Sequence, residues 1–187
     1  MASPDPPDTL LVVRCQLGER DAFAELVRLW HPPLRRYLHS LAGSPHAVDD
    51  LAQEAWIAVV RGLPRLRQPD RFAPWLFTIA RRTVADHLRR RTGPAPGGAD
   101  GGADGDAAGL AEDDDPLAGV LDALELRAGL DGLPPPEREV LVLFHLRDLP
   151  LAACAAVLDV PPGTVKSRLH RARRMLRRTL TERGYQP

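Results

Sequence analysis

Seven cationic side chains crowd residues 166–178: Lys166, Arg168, Arg171, Arg173, Arg174, Arg177 and Arg178. Groups of this kind at this density perform no covalent chemistry. They neutralise and hydrogen-bond phosphate, and arginine adds a planar fork that matches the edge of guanine. A second basic block holds Arg61, Arg65, Arg67, Arg71, Arg81, Arg82, Arg89, Arg90 and Arg91 against Asp70 and Asp86. A third set has the opposite sign. Asp49, Asp50, Gln53 and Glu54 share one face if their segment is helical. Carboxylates so placed suit charge-assisted hydrogen bonds to arginine on a partner. Metal binding by Asp49, Asp50 and Glu54, as in a nuclease, is the rival chemistry. No second carboxylate pair near a basic groove supports it.

These groups act together only if helices hold them on common faces. Val165, Leu169, Ala172, Leu176 and Leu180 recur every three or four residues, an apolar stripe that turns the cations outward. Ahead of them Leu151, Ala155 and Leu158 mark one face of a shorter helix. Asp159-Val160-Pro161-Pro162-Gly163 separates the two, because proline cannot continue a helix and Asp or Gly tolerates the turn. A short helix, a turn and a cationic second helix make a helix-turn-helix, whose second helix enters the DNA major groove. Thr164 is expected to open that helix with backbone N–H groups facing a phosphate. Lys166, Ser167, His170 and Arg171 are the candidates for base edges, with Arg168 and Arg174 flanking them on phosphates.

In the N-terminal half, residues 21–30 read as a helix with Phe23, Leu26, Val27 and Trp30 on one face, interrupted by Pro32-Pro33. Leu34, Leu38 and Leu41 continue in a following helix that ends at Gly43-Ser44-Pro45. A helix over 46–62 carries Val48, Leu51, Ala52, Ala55, Trp56 and Val59 inward. An arginine-rich loop leads to a helix over 71–91 with Trp75, Leu76, Ile79, Val84 and Leu88 inward, and Arg81, Arg82, Asp86, Arg89 and Arg90 outward.

The 187 residues contain 44% hydrophobic but only 5% aromatic side chains, which predicts an aliphatic core. Net charge is zero, yet between 92 and 126 no Lys or Arg occurs and acidic residues accumulate. Two basic blocks around an acidic spacer point to two separate contacts with a polyanion. Four zones result: a disordered N-terminus (1–9), a helical bundle (10–92), a flexible acidic Gly/Asp-rich linker (93–116) and a smaller helical bundle (117–183). The fold class is all-α. Cys15 and Cys154 form no disulfide framework and no metal spacing, and read as free thiols of a reducing compartment. With no signal peptide and no segment near the ~20 apolar residues of a membrane span, a cytoplasmic protein without membrane insertion is expected.

The segments VDDLAQEAWIAVVRGLPRLR and RFAPWLFTIARRTVADHLRRR resemble domain two of the extracytoplasmic-function group of bacterial sigma factors. REVLVLFHLRDLPLAACAAVLDVPPGTVKSRLHRARRML is similar to domain four of the same family. Ala153 and Cys154 stand where the family usually has a Glu and an aliphatic residue, and Arg82 where Asn is common. The resemblance implies a protein without catalytic residues or cofactors, whose partners are core RNA polymerase, promoter DNA and an anti-sigma factor. It implies that Asp49, Asp50, Gln53 and Glu54 dock on the polymerase. Arg65, Arg67, Arg71, Arg81, Arg82, Arg89 and Arg90 would then serve the −10 element. Thr164, Lys166, Ser167, Arg168, His170, Arg171 and Arg174 would serve the −35 element. A helix-turn-helix regulator that acts without polymerase is the alternative; it leaves the acidic helix and the first basic block unexplained.

Overall fold

The computed structural model describes residues 8–42, 45–92, 129–145 and 149–183. The expected linker at 93–116 and the start of the second bundle at 117–128 lie outside them. Every element among the described residues is helical: α1 (Asp8–Gln16), α2 (Arg20–Ala42), α3 (Pro45–Gly62), the 3-10 turns Leu63–Arg65 and Pro69–Arg71, α4 (Phe72–Thr92), α5 (Pro135–His145), α6 (Leu151–Leu158) and α7 (Pro162–Glu182). None is long and apolar enough to cross a membrane.

The N-terminal bundle packs α1 to α4. Two expectations fail here. Asp8 and Thr9 are not disordered: α1 starts at Asp8, where a carboxylate suits a helix N-terminus, and Leu11 and Val12 are buried. Pro32 and Pro33 do not interrupt α2, which runs unbroken through both. Each proline removes one backbone donor. The burial of Trp30 on one side and Leu34, Tyr37 and Leu38 on the other outweighs that loss.

The core is also less aliphatic than composition predicts, because the few aromatics gather in one place. Trp30 meets Phe72 and Phe77 edge-on at centroid distances of 5.5 and 6.2 Å, and Tyr37 meets Phe77 at 5.1 Å. On α3, Val48, Leu51, Ala52, Ala55, Trp56 and Val59 are buried as the spacing requires. On α4, Leu76 and Val84 are buried and Trp75 and Ile79 half-buried, but Leu88 is exposed, since the helix there has passed the end of the core.

The C-terminal bundle is α5, α6 and α7. Val165, Leu169, Ala172, Leu176 and Leu180 are all buried. The turn between α6 and α7 rests on Asp159, which adopts the left-handed conformation (φ 56°, ψ 47°) and caps α6. That conformation falls on a residue type with tolerance for it, not on Gly163, which lies inside α7.

The two bundles pack against each other: α4 lies on α6, and α2 on α5. This contact explains α6. Its sequence, LAACAAVL, has no polar side chain, and Cys154, Ala155, Val157 and Leu158 are all buried. A helix apolar all round is covered on more than one side. Here α7 covers one and α4 the other.

Candidate functional site

Three charged faces emerge from this framework. The first is on α3. Asp49, Asp50, Gln53 and Glu54 are all exposed. Asp49 Oδ1 accepts from Arg35 Nη2 at 2.8 Å, and Glu54 Oε2 from Arg90 Nη2 at 2.9 Å. Asp50, Gln53 and Glu54 form one wall of a surface groove, and His87, Arg90 and Arg91 of α4 form the other. Ile57 lies in the groove and Val60 follows it one turn on; both are about half exposed. Sequence reasoning missed these apolar residues. Their signal was a second stripe, Asp50, Gln53, Ile57 and Val60, running beside the core stripe of α3. An apolar strip with a polar rim is the usual make-up of a protein-binding face. Among the described residues no three His, Cys, Asp or Glu side chains come together as a metal-ligand set.

The second face is the first basic block, which the fold divides. Arg65 and Arg71 are exposed on the two 3-10 turns before α4, and Arg67 is exposed on the segment between them. α1 braces these turns: Gln16 Nε2 donates to the carbonyls of Leu63 and Leu66 at 2.9 and 2.8 Å. Gly62 makes room for Trp75, whose ring would lie 2.7 Å from a Cβ at that position. Arg82 is exposed midway along α4. Arg81 beside it is half-buried, and its Nε donates to Glu139 Oε1 of the other bundle at 3.1 Å. At the far end Arg89 pairs with Asp86, and Arg90 with Glu54. From Arg71 to Arg90 the helix rises by about 28 Å at 1.5 Å per residue. The block is therefore not one patch: Arg89 and Arg90 belong by position with the groove between α3 and α4.

The third face is α7. Lys166, His170, Arg171, Arg174, Arg177 and Arg178 are exposed opposite the buried stripe, while Thr164, Ser167, Arg168 and Arg173 are half-buried. Arg173 lies over the Phe144 ring at 5.2 Å, a cation–π contact that holds it against α5. Arg171 Nη1 donates to Glu137 Oε1 at 3.1 Å, and Glu137 is 6% exposed. A buried carboxylate thus fixes one side of the Arg171 guanidinium and leaves its other donors on the exposed face. Sequence reasoning did not foresee the Glu137 partner. The expected N–H of Thr164 is engaged inside the first turn. α7 opens at Pro162, and the N–H groups of Thr164 and Val165 bond to the Pro161 carbonyl at 2.9 and 3.2 Å. The Thr164 carbonyl accepts from Ser167 Oγ at 3.0 Å.

The two cysteines sit in different surroundings. Cys154 is buried at the bundle contact, its Sγ 3.6 Å from the Leu149 carbonyl, and desolvation pushes its pKa up to about 11. Cys15 is half-buried, and burial raises its thiol pKa as well.

Two helical bundles, the second a helix-turn-helix whose longer helix exposes a cationic face, define a two-domain protein of the helix-turn-helix class. Residues 26–93 match the family described as Sigma-70 region 2, and residues 123–176 that described as Sigma-70, region 4. The chain is 30% identical over 175 residues to the ECF RNA polymerase sigma factor SigW of Bacillus subtilis, covering 88% of this chain and 92% of SigW. It is 32% identical to ECF RNA polymerase sigma factor SigC of Mycobacterium tuberculosis, covering 92% and 90%. The fold is similar to that of the sigma factor RpoE of Bartonella quintana in complex with the anti-sigma factor NepR. That match has a TM-score of 0.64 and 25% identity, over 85% of this chain and 96% of the other. CnrH in complex with the cytosolic domain of CnrY shares the fold at a TM-score of 0.64 and 24% identity, over 94% and 97%. The chain belongs to the sigma-70 family and is an RNA polymerase sigma factor of the ECF group.

Proposed function

We propose that this sigma factor docks on core RNA polymerase through the α3 groove, with Asp50, Gln53 and Glu54 bonding cations of the polymerase and Ile57 and Val60 supplying apolar contact. Asp49 joins the rim through its pair with Arg35. Arg65, Arg67 and Arg71 on the loop, with Arg81 and Arg82 on α4, serve the −10 element. There arginine suits both phosphates and the faces of unpaired bases. Arg89 and Arg90 flank the groove and take phosphates only at its edge. On α7, Lys166, Ser167, His170 and Arg171 face base edges of the −35 element, Arg168 and Arg174 hold phosphates, and Thr164 contributes to the first turn. The protein works without covalent catalysis or a cofactor, in the cytoplasm, restrained by an anti-sigma factor. The acidic linker at 93–116 joins the two DNA-binding bundles.

The observation that carries this reading is the opposition of faces. A complete apolar stripe is buried beneath an exposed cationic face on α7, and a groove that sets the carboxylates of α3 against the arginines of α4, with Ile57 between them, lies in the other bundle. A helix-turn-helix regulator acting alone has no use for the second. Co-purification tests it: the tagged chain is expected to retain core polymerase subunits in stoichiometric amount. Retention of promoter DNA without polymerase would favour the regulator.

A further inference from the structure

The loop that carries Arg65, Arg67 and Arg71 is held by a residue far from it in sequence. Gln16, in the last turn of α1, is half-buried and aims its side-chain amide at this loop. Its Nε2 donates to the Leu63 carbonyl at 2.9 Å, 47 residues on, and to the Leu66 carbonyl at 2.8 Å, 50 residues on. Two acceptors facing one amide settle its orientation, because the nitrogen carries both donors. The Leu66 N–H also bonds to the Leu63 carbonyl, at 3.1 Å. Gln16 therefore closes a clip over the turn Leu63–Arg65, gripping its first carbonyl and the carbonyl just past its end.

The clip has a firm base. Leu11 and Val12 bury α1 in the bundle, and Gly18 closes the helix at φ 87°, its N–H on the Cys15 carbonyl at 3.0 Å. Across that turn Arg14 Nε donates to Glu19 Oε2 at 2.8 Å. The loop has less to hold it. Leu63 and Phe72 are buried and Leu66 packs partly against the core, but Arg65, Arg67, Gln68, Asp70 and Arg71 are exposed. Pro64 and Pro69 preset φ near the start of each 3-10 turn. Between the turns the backbone is not helical: Leu66 has φ −69°, ψ 107° and Gln68 φ −124°, ψ 89°. The course of this stretch depends on where Leu66 is held, and Arg65 and Arg67 flank Leu66 on either side.

We infer that Gln16 is a positioning residue for −10 recognition: its amide clips the Leu63–Leu66 backbone into the one shape that presents Arg65 and Arg67 to the promoter. This rests on the reading of Arg65 and Arg67 as −10 contacts. Gln16 acts through the loop and touches no DNA itself. A loop that waits in its receiving shape binds without first being ordered, and every other shape lowers the apparent affinity in proportion to its population. Two hydrogen bonds of ordinary net strength shift such a population by about five- to a hundredfold. The N-terminal helix α1, which carries none of the promoter-reading arginines, thereby enters the reading of the −10 element.

The test uses the full chain assembled with core polymerase, on a promoter that it reads in run-off transcription and on single-base variants of both promoter elements. Gln16→Met keeps the length of the side chain and removes both donors. Gln16→Glu keeps the shape and sets a carboxylate against two carbonyls. Both variants should bind the promoter about tenfold more weakly and discriminate less among bases of the −10 element. Discrimination at the −35 element should stay as in the parent. Parental discrimination at the −10 element in both variants would overturn the proposal. So would equal losses at both elements in step with a lower Tm, which is what a residue that only stabilises the bundle gives. Arg65→Ala with Arg67→Ala in the same assay separates the proposal from the reading beneath it. Parental −10 discrimination there removes both. Loss of discrimination there, beside unchanged Gln16 variants, removes only the role of Gln16.

Discussion

Arg171→Ala should have two separable effects. Glu137 is buried and Arg171 about half exposed, with 3.1 Å between them. At an effective dielectric near 20 the attraction at that distance is about 5 kcal/mol before Glu137 is desolvated. Desolvation and solvent screening at the half-exposed guanidinium leave a net of about 1–2 kcal/mol. Removing Arg171 strands the buried carboxylate, so the variant should lose about that much stability, a fall in Tm of about 2–8 °C for a chain of this size. Promoter binding should fall by about 1–3 kcal/mol, with preference relaxed at one −35 position, if the remaining donors of Arg171 grip a base edge. The double variant Glu137→Gln with Arg171→Ala should regain the stability, because a neutral amide is cheaper to bury than an unpaired carboxylate, but not the preference. Arg174→Ala should leave the Tm alone, weaken binding to all sequences alike and reduce the salt slope by about 0.9. The assays are thermal unfolding by circular dichroism and promoter binding across single-base variants at two salt concentrations. An unchanged Tm for Arg171→Ala, or a change of base preference from Arg174→Ala, would refute the assignment of faces on α7.

Other expectations follow from the same geometry. Leu169→Asp puts a charge into the buried stripe of α7 and should unfold the C-terminal bundle, seen as loss of helical dichroism. Gly62→Val forces Trp75 aside and should cost about 1–3 kcal/mol in denaturant unfolding. At pH 8 a thiol with pKa about 11 is about 0.1% thiolate, so a water-soluble disulfide reagent should modify Cys15 well before Cys154; the reverse order would show that the bundle contact opens freely. Tyr37 and Cys154 both have folded-state pKa values raised by desolvation, so each favours the folded form most while protonated. Their contribution is complete below the unfolded values near 9 to 10 and is lost as pH rises through the folded ones. Denaturant midpoints should therefore fall between pH 8.5 and 11.

The buried stripes of α3 and α7 were legible because each is a single face of an amphipathic helix, and period alone places it. The continuity of α2 was not, because propensity stops a helix at Pro32-Pro33 and only the packing of Trp30 and Tyr37 on either side overrides it. The bundle contact was visible only indirectly, in the absence of any polar residue from LAACAAVL; the amphipathic reading assigned that helix a single face. Glu137 and Glu139 were invisible as partners, since alternating charges on a short helix look like a solvated surface until the fold brings Arg171, Tyr37 and Arg81 to them. The three charged blocks were found from sequence, but their division was not: distance along α4, not composition, separates Arg71 from Arg90.

The most direct test is run-off transcription with purified core polymerase on templates carrying candidate promoters. The account predicts transcripts of defined start that require this chain. It also predicts that charge reversal at Asp50 and Glu54 abolishes them and the capture of core polymerase, while helical dichroism is intact. Transcripts at parental level from the charge-reversed protein, or none from the parent on any template while it binds DNA tightly alone, would contradict it.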